Sequence, residues 1–236
     1  MTSPCRQGGA PGAAKPGCFI HVVTAENRKL YADEMEAIFR LRHRVYVEER
    51  GWSEFRSPDG RQVDPYDTSE TVYLLAIEPE KQAVVGGCRL LPTTGQPLLQ
   101  EFEGLKGGYP LPRSPDVLHL SRFVGAKQLF EGALPHVLAY TILAGVQEYG
   151  LAEDVAQLSA LSRVYWLPVL LQLGWNPQPL ALPEMYRGQS VIVSTWDISE
   201  VAHHRTCALL GVDGPLLVRR GISRRAAPMS DSGRHS

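Results

Sequence analysis

The sequence predicts one α/β domain, a three-layer α/β/α sandwich around a mixed sheet. Three observations lead there. β-prone runs alternate with segments of helical period along most of the chain. Two of the runs, TVYLLAI (71–77) and AVVGGCRLL (83–91), are separated only by EPEKQ and read as an antiparallel hairpin. The 236 residues are 44% hydrophobic, enough for one substantial core. Helix-linked strands combined with a hairpin give a mixed sheet covered on both faces.

Taken in order, residues 1–17 are rich in Gly, Pro and Ala and are expected to form a disordered lead. A single domain is expected over 18–222, with a polar, disordered tail over 223–236. Residues 19–23 form a short β-rich run. A helix follows over about 27–47, with Leu30, Met35, Ile38, Leu41 and Val45 as its buried stripe, leaving Arg40, Arg42, His43 and Arg44 partly or wholly exposed. A polar loop spans 53–69, and Pro92 is expected to end the second hairpin strand. The Gly/Pro-rich connection 93–116 is long for a compact domain, and LLQEF (98–102) reads as a helical turn within it.

VLHLSRFV (117–124) is the next strand. Pro135 then opens a helix carrying Leu138, Ile142, Val146 and Tyr149 on one face, and Gly150 closes it. VAQLSALS (155–162) reads as a buried strand, YWLPVLLQLGW as a short helix ending at Gly174, SVIVSTWD (190–197) as a strand, and 199–210 as a helix.

Charge and motif content narrow the chemistry. Lys plus Arg number 24 against 25 Asp plus Glu, which provides no net field for nucleic acid or an anionic membrane. No apolar run reaches membrane-spanning length and no signal-peptide core is present, so a cytoplasmic protein is expected. Cys5, Cys18, Cys88 and Cys207 lack metal-site or disulfide-framework spacing and read as reduced thiols. His203 and His204 read as solvated surface. The Walker A, dinucleotide-binding, GxSxG and HExxH patterns are absent, so nucleotide hydrolysis, hydride transfer, serine hydrolysis and zinc proteolysis lose their usual support.

What stands out is a set of charges in apolar surroundings. Arg89 and Arg122 each lie in a strand between apolar neighbours and need a carboxylate or a ligand, because an unpaired buried charge is costly. Asp64 and Asp67, in VDPYD, are candidate partners. A purely structural ion-pair network would account for all four. Adjacent Gly86 and Gly87 within a β run indicate a bulge or a close approach by another backbone or a ligand.

Together Arg42, Tyr46, Trp52, Asp64, Asp67, Arg89, LLPT (90–93) and SRF (121–123) resemble the signature of the acyl-homoserine lactone synthases, the LuxI-type autoinducer synthases, over about residues 19–198. The resemblance implies an acetyltransferase-like fold whose sheet splays between two strands. It also implies quorum-sensing signal synthesis: the amine of S-adenosylmethionine attacks an acyl thioester, and the methionine carboxylate then displaces methylthioadenosine to close the lactone. S-adenosylmethionine is a substrate here, so no resident cofactor or metal is expected. Asp64, Asp67, Arg89, His119 and Arg122 inherit catalytic positions, and Arg42, Tyr46 and Trp52 substrate-binding ones. Carboxylates and aromatic faces suit the sulfonium, while Arg42 or Arg122 suits the carboxylate.

Tyr46 stands where the family usually has Phe, and His119 where it commonly carries Glu. An ordinary histidine pKa of about 6.5 suits proton acceptance near neutrality, so activity is expected to rise with pH through the His119 titration. Strict alternation places His119 and Arg122 on opposite faces of the strand, so they share a site only through a bulge or a strand edge.

The sequence is closest to the subset using branched or aryl acyl-CoA rather than long chains on acyl carrier protein. Lys127 is the chief basic residue after SRF with which to dock an acidic carrier. Leu158, Ala160, Tyr165 and Trp166 are the expected acyl-lining residues, and free N–H groups at the Pro135 helix start could receive a phosphate. Asp64→Asn, Asp67→Asn and Arg89→Ala are expected to cost turnover far more than stability. An acetyl-CoA-dependent N-acetyltransferase and a non-catalytic ligand-binding sensor are the alternatives.

Overall fold

A computed structural model describes residues 17–95, 111–125 and 137–221. The expected lead and tail, the LLQEF turn, Lys127 and the Pro135 helix start lie outside the described residues.

One sheet carries the fold. Its strands are β1 (Phe19–Val23), β2 (Val72–Glu78), β3 (Ala83–Pro92), β4 (Val117–Gly125), β5 (Gln157–Arg163), β6 (Pro177–Pro179), β7 (Glu184–Tyr186), β8 (Gln189–Asp197) and β9 (Leu217–Val218). They run in the order β6-β8-β5-β4-β3-β2-β1-β9, with β7 paired to β8. The β2–β3 hairpin is antiparallel as expected, β4 and β5 are parallel, and β1 and β9 are parallel, so the sheet is mixed. Helix α1 (Ala32–His43) covers one face, where Met35, Ile38 and Leu41 pack on Tyr73, Leu75 and Ile77. Helices α2 (Val137–Ala152), α3 (Trp166–Gln172) and α4 (Glu200–Leu210) bury Ile142, Leu170 and Ala202 with Leu74, Leu90, Leu120 and Leu158 on the other.

Several expectations are corrected. The first helix is not continuous: a 3-10 turn (Arg28–Tyr31) precedes α1 and a π-helical segment (Arg44–Glu49) follows it. The tighter turn shifts the helical phase, so Tyr31 is buried where Leu30 was expected and Leu30 is exposed. Arg42 and His43 are buried rather than exposed, because the loop carrying Gln62 and Asp67 folds over the end of α1 and supplies partners for Arg42.

Gly150 does not end α2, which continues to Ala152; a Cβ there would come within 2.7 Å of Ile198, so this glycine lets another segment approach. Pro92 ends β3, as expected. Cys18, Cys88 and Cys207 are free and buried; Cys207 Sγ lies 3.5 Å from Nε2 of a half-buried His203, while His204 is exposed.

Two irregularities set up the site. The β2–β3 register shifts between Ala76 and Ile77, beside Gly86 and Gly87. A Cβ on Gly86 would meet the Val124 carbonyl at 2.8 Å and one on Gly87 the Leu74 carbonyl at 2.6 Å, so the glycine pair lets the neighbouring strands close in. On the other side, β4 and β5 pair only from Val117↔Gln157 to Leu120↔Ala160. Beyond that β4 follows β3 and β5 follows β8, and the sheet splays open.

Candidate active site

Where the strands diverge, β4 bulges. The β3–β4 register shifts between Gly87 and Arg89, and Arg122 takes a left-handed conformation with φ 50°. The extra residue breaks the alternation expected for this strand. His119, Ser121 and Arg122 all serve the α1 side, while Phe123 turns to the other face and meets the Trp166 ring at 6.0 Å. A left-handed arginine is strained, and such strain commonly marks functional positions.

Five charged groups meet under α1. Arg42 donates from both terminal nitrogens to Asp67, at 2.8 and 2.9 Å, and from Nε to Gln62 at 2.7 Å. Arg89 donates from Nη1 to Asp64 at 2.6 Å and Asp67 at 2.8 Å, and from Nε to Ser121 at 3.0 Å. Arg122 donates from Nε and Nη2 to Asp64 Oδ2 at 3.0 and 2.6 Å. The Tyr73 hydroxyl donates to Asp67 at 2.7 Å. Three guanidinium groups against two carboxylates leave one positive charge.

The network has an inside and an edge. Side chains of Arg42, Asp67 and Arg89 are 1%, 1% and 0% exposed, whereas Asp64 and Arg122 are each 10% exposed. Burial alone would raise both aspartate pKa values; the Arg89 hydrogen bond and charge for Asp64, and those of Arg42 for Asp67, outweigh it and hold both below the usual carboxylate range. Arg42 is thus fully engaged and sealed, which leaves Arg122 as the member of the expected pair that faces incoming ligand.

The π segment shapes the adjoining wall. Its widened turns place Tyr46 beneath Trp52, with the rings stacked at 5.1 Å, and Phe55 lies 5.8 Å from Trp52 and 6.3 Å from Tyr46. Arg122 lies over Tyr46 and Phe55, at 5.4 and 4.7 Å. A cleft of about 420 Å³ opens beside it, lined by Asp64, Arg122, Phe55 and Tyr66 and by Tyr186 and Arg187 from the β7–β8 hairpin. The cleft thus offers carboxylate, guanidinium and aromatic faces together.

His119 does not fit a neutral-pH base. It is buried, its Nδ1 lies 3.0 Å from Ser159 Oγ, and burial, then the nearby charges of Arg89 and Arg122, push its pKa down to about 3. The expected activity limb at its titration is therefore replaced: His119→Gln is expected to change the rate without removing any pH limb near 6.5. The same shift makes a stability prediction. The unfolded chain takes up a proton below about pH 6.5 while the folded histidine stays neutral, so stability falls as pH drops from there towards the folded value. His119→Gln should flatten this slope in urea unfolding between pH 7 and 4, with residual slope from His21, whose pKa burial and Arg220 lower to about 4. An unchanged slope would show that His119 is solvated.

Of the expected acyl-lining residues, Ala160 sits at the last paired position before the splay and Trp166 packs on Phe123 across it. Tyr165 stacks on Trp166 at 5.4 Å and is 52% exposed. Leu158 pairs beside Leu118, below the splay, and with Ala160 belongs to the core on that face. Leu158, Ala160 and Trp166 lie on the α2 side, opposite the charged network, with the gap between β4 and β5 between the two. Sequence reasoning missed Gln62, Tyr73 and Ser159 as partners, and Phe55, Tyr186 and Arg187 as cleft walls. The Arg187–Gly188 turn carries neither the Asn-Gly nor the Asp-Gly signal, so the hairpin that supplies the last two had no mark to read.

The chain has clear relatives. The autoinducer synthase family model matches residues 26–206. The isovaleryl-homoserine lactone synthase of Bradyrhizobium diazoefficiens is 40% identical over 205 residues, 84% of this chain and 91% of that one. The solved structure of BjaI, a CoA-dependent acyl-homoserine lactone synthase with SAM and isopentyl-CoA, superposes with a TM-score of 0.80 at 36% identity, covering 88% of this chain and 95% of that one. An N-acetyltransferase structure from Lactobacillus plantarum, at 17% identity and a TM-score of 0.51 over 77% of this chain and 99% of that one, shares the fold alone. The chain belongs to the autoinducer synthase family and is an acyltransferase of the acyl-homoserine lactone synthase type.

Proposed function

We propose that this protein makes an acyl-homoserine lactone quorum-sensing signal from S-adenosylmethionine and a short branched or aryl acyl-CoA. The observation that carries the reading is the joining of the Arg42–Asp67–Arg89–Asp64–Arg122 network to an aromatic-walled cleft at the point where the sheet splays. The similar BjaI was solved with SAM and isopentyl-CoA and also with MTA, which supports both substrates and the leaving group.

In this reading S-adenosylmethionine occupies the cleft on the α1 side. The Phe55 face, backed by Tyr46 and Trp52, and the Asp64 carboxylate stabilise its sulfonium. The acyl thioester enters through the splay, with its acyl group against Ala160, Tyr165 and Trp166. The open edge of β4 beyond Leu120 supplies N–H donors to the tetrahedral oxyanion. The amine nitrogen bonds to the acyl carbon and the CoA thiol departs; the carboxylate oxygen then bonds to the γ-carbon as its bond to sulfur breaks, releasing methylthioadenosine. Neither the depressed aspartates nor His119 takes a proton readily at neutral pH, so the amine proton passes to water in the cleft. The chemistry calls for no resident cofactor, and the protein acts in the cytoplasm, where both substrates are made. No described helix is long and apolar enough to cross a membrane.

A thioester panel tests this. Isovaleryl-CoA and flat aryl-CoA donors are expected to release methylthioadenosine at least ~10-fold more efficiently than long-chain acyl carrier protein, because Tyr165 and Trp166 restrict depth. Efficient turnover only with the long-chain carrier would overturn the donor assignment, and acetyl transfer without methylthioadenosine would overturn the reaction.

A further inference from the structure

We propose that Arg187, at the tip of the β7–β8 hairpin, is the receptor for the α-carboxylate of S-adenosylmethionine, an assignment that rests on the function proposed above. The substrate carboxylate requires a cation that faces the cleft and has donors to spare. Arg42 and Arg89 are sealed, and Arg122 has two nitrogens committed to Asp64. Arg61 is held by Glu36 and Asp59. Arg56 lines the cleft and, like Arg187, is exposed, but among the described residues no ring holds its guanidinium in place.

Arg187 meets the requirement. It lines the same cleft as Asp64 and Arg122. Its guanidinium lies 4.9 Å from the Trp52 ring centre and 5.1 Å from that of Tyr186, so it is oriented in advance. Its ion-pair partner is Glu54, whose side chain is 42% exposed. A pair that open to water contributes little, so a substrate carboxylate can join or replace Glu54 at low cost, and a guanidinium has donors for both.

The backbone gives a second observation. Tyr186 and Gln189 close a two-residue turn in which Arg187 and Gly188 both have positive φ, 51° and 73°. Turns of this kind favour Asn-Gly, and an arginine at the first position is strained. An unfavourable residue held over Trp52 is what a ligand-binding role at this tip requires.

The strain also supplies a clean test. Arg187→Asn creates the favoured Asn-Gly turn, so the variant is expected to fold at least as stably as the wild type while losing the cation. Titration calorimetry on the full chain would compare S-adenosylmethionine, decarboxylated S-adenosylmethionine and methylthioadenosine. Arg187→Asn is expected to weaken S-adenosylmethionine by roughly 10- to 100-fold, the worth of a charge-assisted bond, and the two ligands lacking a carboxylate by less than about twofold. Arg187→Lys should fall between, and Arg56→Gln should match the wild type.

Equal weakening of all three ligands would make Arg187 an aromatic-wall residue and overturn the assignment, as would no weakening. A selective loss in Arg56→Gln alone would move the role to Arg56. Wild-type protein that binds none of the three would overturn the proposed function as well.

Discussion

Asp67→Asn is expected to lower the unfolding free energy by about 3–5 kcal/mol, the usual cost of removing one partner from a buried ion pair. Asp67 is sealed between Arg42 and Arg89 and also accepts from Tyr73, so its loss leaves two guanidinium groups and a phenol under-paired with little access to water. At roughly 2–4 °C per kcal/mol for a chain of this size, the melting temperature should fall by about 10 °C or more. With Asp67 and Arg89 both buried, a loss of stability is expected to accompany the loss of turnover that the sequence leads one to expect for their variants.

The pH dependence carries the same signature. Asp67 has a folded pKa held below its unfolded value near 4, so its contribution is complete above that pH and is lost as pH falls towards the folded value. The gap between wild type and Asp67→Asn in urea unfolding should therefore be widest near neutrality and narrow below about pH 4. A constant gap would place the loss in packing rather than charge.

Much of this was legible in the chain because local physics decides it. The hairpin, β4 and α4 follow from β propensity, period and caps: Ser199 accepts from the Ala202 N–H at 3.2 Å, and Gly211 closes the helix at φ 65°. Strands of two or three residues, such as PQP, EMY and LV, have no period to read and form because a neighbouring strand offers its edge. Gly150 resembled a stop signal because its actual reason, the crossing of Ile198, lies far away in sequence.

The site divides in the same way. Asp64, Asp67, Arg89 and Arg122 were found because charges among apolar neighbours demand partners. The ranking within that set was not, because it depends on the 62–67 loop closing over Arg42. His119 was placed in the right neighbourhood with the wrong titration, since neither its burial nor the two arginines beside it can be counted along a strand.

Asp64→Asn is expected to separate catalysis from stability where Asp67→Asn cannot. Asp64 borders the cleft, and the guanidinium it releases, Arg122, has access to water, while Arg89 keeps Asp67. The stability loss should be that of charge-assisted hydrogen bonds, about 1.5–3 kcal/mol. Turnover should suffer more. Asp64 both faces the sulfonium in the proposed mode and pins Arg122 over Tyr46 and Phe55; displacing such a group by an ångström costs on the order of 10²-fold in rate. Methylthioadenosine release, measured well below the melting temperature of both proteins, should drop by ~10²-fold or more, with Asp64→Glu recovering little because the longer carboxylate moves Arg122. If activity fell only in proportion to the unfolded fraction, Asp64 would be structural, and the network would serve the fold alone.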